Sequence, residues 1–216
     1  MRFVLSFSGG KDSVLAMDRM VRMGHAPVAL LSMYRPSAQR TWTHGLDDAL
    51  LNAVAEAMGL PLIRCKAEGE DYAEVMEAGL REARALGAEG CVFGDIDIEA
   101  HRSWDLARCA AAGLEPLLPL WNCGREAAVR EVMDRGYRCL IKCVRRGVLP
   151  PELLGQALSP ELLGEIGRHG ADLCGENGEY HTLVVDGPVF QHPVGIVNRG
   201  VVELEHIYAA DLTLLN

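Results

Sequence analysis

The sequence lacks any apolar run long enough to cross a bilayer, and its first residues do not combine a basic segment with an apolar core. It also lacks a surplus of basic residues, because 21 Lys and Arg against 30 Asp and Glu give a net charge of -9. That negative charge disfavours sequence-independent binding to nucleic acid and binding to an anionic membrane. We therefore expect a cytoplasmic protein with neither a nucleic-acid nor a membrane partner.

Several common motifs are missing as well. The seven cysteines are scattered through apolar segments with no C-x-x-C pair, which predicts reduced thiols and gives no support to a zinc or redox site. Neither G-x-x-x-x-G-K-[ST] nor G-x-G-x-x-G occurs, so the sequence has neither the phosphate loop of the common NTPases nor the dinucleotide fingerprint.

Short apolar runs alternate with helical patterns through the first half of the chain, beginning with "RFVLSF" and ending with "GCVFGDI" and its following helix. This alternation predicts an α/β fold, a Rossmann-like doubly wound parallel sheet with helices on both faces. After "GLEPLLPLW" the regular alternation of apolar runs and helical patterns ends, and from Thr182 onward the pattern favours antiparallel strands. We place a boundary near residue 120, between a domain at 1–120 and a smaller α+β region at 121–216.

The stretch "FVLSFSGGKDSVLAM" runs from a strand through two glycines into a helix. Glycines at that turn expose unpaired N–H groups at the positive end of a helix, and lysine and serine side chains add donors, so the turn suits phosphate. A capped glycine turn without a ligand is the alternative. The candidate phosphate-binding residues are Ser8, Gly9, Gly10, Lys11, Asp12 and Ser13, with Asp12 also a candidate ligand for Mg²⁺.

Other candidate residues follow later strands. Asp95 ends the strand "VFGDI" at the same sheet edge as the glycine turn, where it enters the crevice or caps the next helix. On that helix His101, Asp105 and Arg108 share a face, for which a solvated surface is the favoured interpretation. His44 precedes another helix, in a position typical of a cap or surface residue.

The second unusual stretch is "CGENGEYHTLVVDGPVF", at 174–190. Glu176, Asn177 and Glu179 offer oxygen acceptors on a glycine-bracketed loop, and Tyr180 offers an aromatic face, a set that suits an amine or a metal. A tight turn at Asn177-Gly178 with its carboxylates in water is the alternative.

The strings "SFSGGKDS", "HG", "FGDI", "GLEPLLPLW" and "GENGEY" occur in the order seen in the diphthine–ammonia ligase family, also called the ATP-binding domain 4 family. The first string resembles the SGG-x-D-S loop of the PP-loop, or N-type, ATP pyrophosphatases. The resemblance covers residues 1 to about 190. His181 in "GENGEYHT" stands where archaeal and eukaryotic members usually have an acidic residue, so the chain resembles the bacterial branch.

The resemblance implies a PP-loop fold of the HUP type and an ATP-dependent ligase that adenylates a carboxylate, releases pyrophosphate and transfers ammonia. ATP and Mg²⁺ are the implied cofactors, ammonium the nitrogen source, and a diphthine-like or other carboxylate the acceptor, within diphthamide biosynthesis for named members. The implied catalytic residues are Lys11, Asp12 and Asp95. His44 joins the turn 8–13 as an ATP-binding residue, and the acceptor-binding residues are Glu176, Asn177, Glu179 and Tyr180.

Two other functions fit the same fold. One is a nucleotide-binding regulatory protein, or an adenine-nucleotide hydrolase that does not use diphthine. The other is tRNA thiolation, which the acidic net charge of -9 and the scattered cysteines disfavour. The sequence leaves both a monomer and a homo-oligomer open.

Overall fold

The computed structural model describes residues 1–215, and the first part of the chain forms a six-stranded sheet with its helices. The elements of this part are β1 (Arg2–Ser6), α1 (Lys11–Arg22), β2 (Ala26–Arg35), β3 (Arg40–Thr41), α2 (Asp48–Met58), β4 (Leu62–Lys66), α3 (Tyr72–Ala85), β5 (Gly90–Val92), α4 (Glu99–Ala112) and β6 (Glu115–Leu117). The alternating pattern predicted a helix after each of β1, β2, β4 and β5, and α1, α2, α3 and α4 are present there, with the short strand β3 inserted before α2.

Five strands of this sheet are parallel, in the spatial order β4-β2-β1-β5-β6, and β3 pairs antiparallel with the end of β2. Residues of α1 and α2 belong to the core on one face, and residues of α3 and α4 to the core on the other. The predicted doubly wound α/β fold is therefore confirmed. The strand order reverses at β1, so a crevice opens between the carboxyl ends of β1 and β5.

The rest of the chain forms a four-stranded antiparallel sheet in the order β8-β7-β10-β9. Its elements are α5 (Arg125–Asp134), β7 (Arg138–Arg145), α6 (Pro160–Arg168), β8 (Tyr180–Asp186), β9 (Ile196–Glu203) and β10 (Ile207–Leu214). The antiparallel strands expected in this region are thus present.

The two sheets share one apolar core that includes residues of α1, α2, α5, β7 and β8. Polar contacts join them as well: the Val184 N–H donates to the Gly9 carbonyl at 2.9 Å, and Arg135 pairs with the buried Asp18 of α1 at 3.1 Å. Strand β8 is consequently held beside the glycine turn. Among residues 1–215, no helix combines the length and the apolar character needed to cross a membrane.

Candidate functional site

The turn between β1 and α1 is shaped by two glycines. Gly9 has a φ of +86°, and a Cβ there would lie 2.4 Å from Leu46 Cδ1. Gly10 has an ordinary φ of -92°, but a Cβ would lie 2.2 Å from the His44 ring. In the described chain no side chain caps α1 at Gly10. The turn therefore brings the backbone close to its neighbours and leaves the positive helix end facing the crevice.

Lys11 is the first residue of α1, and its side chain is only 5% exposed. The ammonium nitrogen lies 2.7 Å from Asp12 Oδ2, donates to the Cys174 carbonyl at 2.5 Å, and sits 5.4 Å from the centre of the Tyr180 ring. Burial alone would lower the pKa of Lys11, but the neighbouring Asp12 carboxylate and other groups outweigh it and raise the pKa above its usual value. Lys11 is therefore a fixed positive charge between the turn and the loop that precedes β8.

Asp12, Cys174 and Glu176 bring one potential ligand atom each within 4.8 Å of one another. Burial raises the pKa of the Cys174 thiol well above its usual range, so the sulfur stays protonated and is a poor ligand. Burial and the Asp12 carboxylate raise the pKa of Glu176 to about 7. Two carboxylates that face one another in this way fit Mg²⁺, which takes one or two protein carboxylates and completes its shell with phosphate and water.

The buried His44 and the half-buried His181 form a pair beside the turn, with ring centres 4.8 Å apart. His44 Nδ1 lies 2.7 Å from the Thr182 carbonyl, so Nδ1 carries the proton. Burial and the second ring lower the pKa of His44 to about 3, and burial and Lys11 lower that of His181 to about 4. Both rings are neutral at neutral pH. His44 is not a surface residue: it is 8% exposed and braces Gly10.

Asp95 follows β5 and lies at the crevice, where its carboxylate is 3.0 Å from His101 Nδ1. Asp105 of α4 is 4% exposed, and its Oδ2 has no hydrogen-bond partner among the described residues. Burial and the neighbouring Asp95 carboxylate raise the pKa of Asp105 well above that of an ordinary carboxyl. The solvated face expected for this helix is therefore wrong for Asp105, although His101 is exposed.

The two glutamates of the loop before β8 point in different directions. Glu176 faces the crevice, whereas Glu179 turns inward and accepts from the Asn177 N–H at 3.1 Å and from the Asn177 side chain at 3.0 Å. The Tyr180 hydroxyl donates to the Leu173 carbonyl at 2.7 Å, which leaves the ring to face Lys11. Glu179 and Asn177 therefore hold the shape of the loop.

These groups surround one cavity of about 540 Å³. The residues expected from the sequence that line it are Ser8, Lys11, Asp12, Ser13, His44, Asp95, Glu176 and Tyr180. A smaller recess of about 100 Å³ lies beside it between Trp42, Tyr72 and Ser32, and the Ser32 hydroxyl is buried without a partner among the described residues. Asn177 and Glu179 are not among the lining residues described.

Sequence reasoning missed several of the residues that line this cavity, among them Thr182, His181 and Asp105. Thr182 accepts the Lys11 N–H through its hydroxyl at 3.0 Å, and His181 packs on His44, but both belong to a strand whose place beside the turn no local pattern reveals. The sequence placed Asp105 on the same helix face as His101, four positions earlier, but gave no sign that it is buried. Its burial depends on how α4 packs on the sheet.

Comparison with known proteins gives a family for the whole chain. Residues 1–116 match the diphthamide synthase N-terminal domain, and residues 124–212 match the diphthamide synthase C-terminal domain. The chain is 30% identical to the diphthine–ammonia ligase of Homo sapiens, with 98% of this chain and 87% of the relative covered. It is 33% identical to the enzyme of the same name from Danio rerio, with 90% and 86% covered.

Among solved structures, the predicted subunit of a tRNA methyltransferase from Methanocaldococcus jannaschii is similar, with a TM-score of 0.47 and 15% identity over 87% of this chain and 97% of that one. The two domain matches and the two relatives cover nearly all of the sequence. By these matches the chain belongs to the diphthamide synthase, or diphthine–ammonia ligase, family.

Proposed function

We propose that the chain is an ATP-dependent ligase that adenylates a carboxylate, releases pyrophosphate and then transfers ammonia to the activated carbonyl. One observation carries the proposal: the glycine turn before α1 and the loop at 175–180 face one another across a single cavity, joined by Lys11. Such an arrangement suits two substrates that must meet at one phosphorus atom. The names of the relatives, diphthine–ammonia ligase, point to the same chemistry.

ATP fits this cavity with its phosphates at the turn. The positive end of α1, the Lys11 ammonium and the hydroxyls of Ser8 and Ser13 supply charge and hydrogen-bond donors for phosphate oxygens. The adjoining recess has the aromatic rings of Trp42 and Tyr72 and the unpartnered Ser32 hydroxyl, which suit a purine base. The nucleotide would then run from the recess to the turn.

The reaction needs two displacements. A carboxylate oxygen of the acceptor attacks the α-phosphorus, the bond to the β-phosphate oxygen breaks, and pyrophosphate leaves with the electron pair. Lys11 and the start of α1 stabilise the charge that collects on the departing pyrophosphate. Mg²⁺, held by Asp12 and Glu176, would neutralise phosphate charge when bound. Ammonia then attacks the acyl carbon, and AMP leaves.

The acceptor would enter beside the loop at 175–180, where Glu176 faces the cavity and Glu179 with Asn177 fixes the loop. We propose a diphthine-like or other carboxylate as its class, with free ammonium as nitrogen source. We also keep as proposals the division into 1–120 for ATP and 121–216 for the acceptor, and a cytoplasmic location without nucleic acid. The regulatory alternative is not favoured, because the relatives are named as ligases.

The test supplies ATP, Mg²⁺ and ammonium to the full chain with one of two acceptor sources. One source is elongation factor 2 carrying diphthine, and the other is a fractionated extract of small molecules. We expect continued turnover to AMP and pyrophosphate only when ammonium and an active acceptor fraction are both present. Formation of AMP at the same rate without any acceptor would contradict the ligase proposal and leave a hydrolase.

A further inference from the structure

The carboxylates of Asp95 and Asp105 form a pair that lines the same cavity as the loop at 175–180. Asp105 is 4% exposed and lines the cavity, yet its Oδ2 has no partner within the described chain. A buried carboxyl oxygen without a hydrogen-bond donor destabilises the protein unless a ligand supplies one. Asp105 Oδ2 can therefore accept a hydrogen bond from a ligand in the cavity.

The surroundings of the pair suit a small cation. The rings of Tyr72 and Trp104 lie side by side with centres 5.9 Å apart, and both line the cavity next to Asp105. Aromatic faces and carboxylates together favour a cation that donates hydrogen bonds. Among the described residues, the side chain bonded to the pair is that of His101, which is 56% exposed and contacts Asp95 rather than Asp105.

We propose that Asp95 and Asp105 bind the ammonium ion that serves as nitrogen donor and accept its proton before the nitrogen attacks. This inference rests on the proposed ligase function, because a ligase that uses free ammonium must both hold the ion and deprotonate it. Ammonium has four N–H donors and one positive charge, which match the open oxygen and the negative charge of the pair. The adenylated acceptor lies in the same cavity.

The proton count is consistent with this role. Burial and Asp95 keep a proton on Asp105 at neutral pH, so the pair carries one shared proton before ammonium binds. Ammonium binding displaces that proton to water, and transfer of one N–H proton back to the pair leaves NH₃ with a free electron pair. That electron pair forms the C–N bond, the C–O bond to the AMP phosphate breaks, and AMP leaves with its electrons. The amide nitrogen loses its second proton to water. His101, exposed and bonded to Asp95, connects the pair to solvent.

Calorimetric titration of the full chain with ammonium chloride tests the proposal without any acceptor, with tetramethylammonium chloride and potassium chloride as comparisons at equal ionic strength. We expect saturable ammonium binding in the wild type and in Glu99→Gln, a control on the same helix with a 67% exposed side chain. In Asp105→Asn, which keeps the shape of the side chain, we expect the dissociation constant to rise by about tenfold or more, as for a lost charge-assisted hydrogen bond.

Asp95→Asn provides a second variant at a 25% exposed side chain, in case Asp105→Asn does not fold. Ammonium binding that is unchanged in either folded variant, or potassium binding as tight as ammonium binding, would overturn the proposal. The calorimetric titration needs no turnover, so its result is separate from that of the AMP assay. A failed AMP assay would contradict the ligase proposal, whereas unchanged ammonium binding in the variants would contradict only the ammonium site. Where turnover is measured, the KM for ammonium should rise in Asp105→Asn while the affinity for ATP stays as in the wild type.

Discussion

Replacing Lys11 by methionine should weaken ATP binding by about one to two decades. The ammonium group is 5% exposed and is held in place by Asp12 and the Cys174 carbonyl, so it is already positioned for a phosphate oxygen. Losing a hydrogen bond to a charged group costs about 1.5–3 kcal/mol, and each 1.4 kcal/mol is about a factor of ten in the dissociation constant. The loss of about 1.5 kcal/mol is a minimum, because the Asp12 carboxylate, no longer paired with Lys11, would also repel the phosphates.

The assay is calorimetric titration with ATP in the absence of Mg²⁺, after urea unfolding has shown that the variant is folded. Methionine keeps much of the length of the side chain and removes its charge and its hydrogen-bond donors. Lys66→Met is the matched control, because Lys66 is exposed and does not line the cavity. An ATP affinity within about twofold of the wild type in folded Lys11→Met would refute the assignment of the turn to phosphate.

Three further changes have defined outcomes. Glu176→Gln should leave metal-free ATP affinity unchanged and raise roughly tenfold the Mg²⁺ concentration for half-maximal AMP formation; an unchanged Mg²⁺ dependence would count against Glu176 as a ligand. Gly10→Ala should lower the free energy of unfolding in urea by about 1–3 kcal/mol, because its Cβ would lie 2.2 Å from the His44 ring, and the loss should shrink in a His44→Ala background. In wild type the pKa of His44 is lowered from 6.5 to about 3, so the unfolded chain binds the proton more readily and stability falls as the pH drops below 6.5. Between pH 6.5 and about 3, the free energy of unfolding of the wild type should fall by about 1.4 kcal/mol per pH unit relative to that of His44→Asn, whose amide can still donate to the Thr182 carbonyl. If the free energies of unfolding of the two proteins change in parallel with pH, His44 is not a buried neutral histidine.

Much of the fold could be predicted because its signals are local. The strand, glycine turn and helix at 3–17 are encoded in consecutive residues, and the helix expected after "GCVFGDI" is present at Glu99–Ala112. The parallel sheet follows from repeated βα units and right-handed crossovers. Candidate residues at the ends of β1 and β5 consequently meet at one sheet edge, which placed Asp95 beside the turn.

The rest depends on packing between distant segments. Thr182 and His181 reach the turn only because β8 lies beside it, a pairing of residues more than 170 positions apart that no local pattern encodes. Glu176 and Glu179 have the same side chain type and similar neighbours in sequence, yet one faces the cavity and the other ties the loop to Asn177. Their roles depend on how the loop turns at Gly178, which the sequence alone leaves open.

The products of ATP cleavage test the central claim most directly. With ATP, Mg²⁺, ammonium and an active acceptor, phosphorus NMR of the reaction should show AMP and pyrophosphate in equal amounts, because the acceptor carboxylate attacks the α-phosphorus. ADP and inorganic phosphate as the first products would contradict the account, because the cavity would then be cleaving the γ-phosphate.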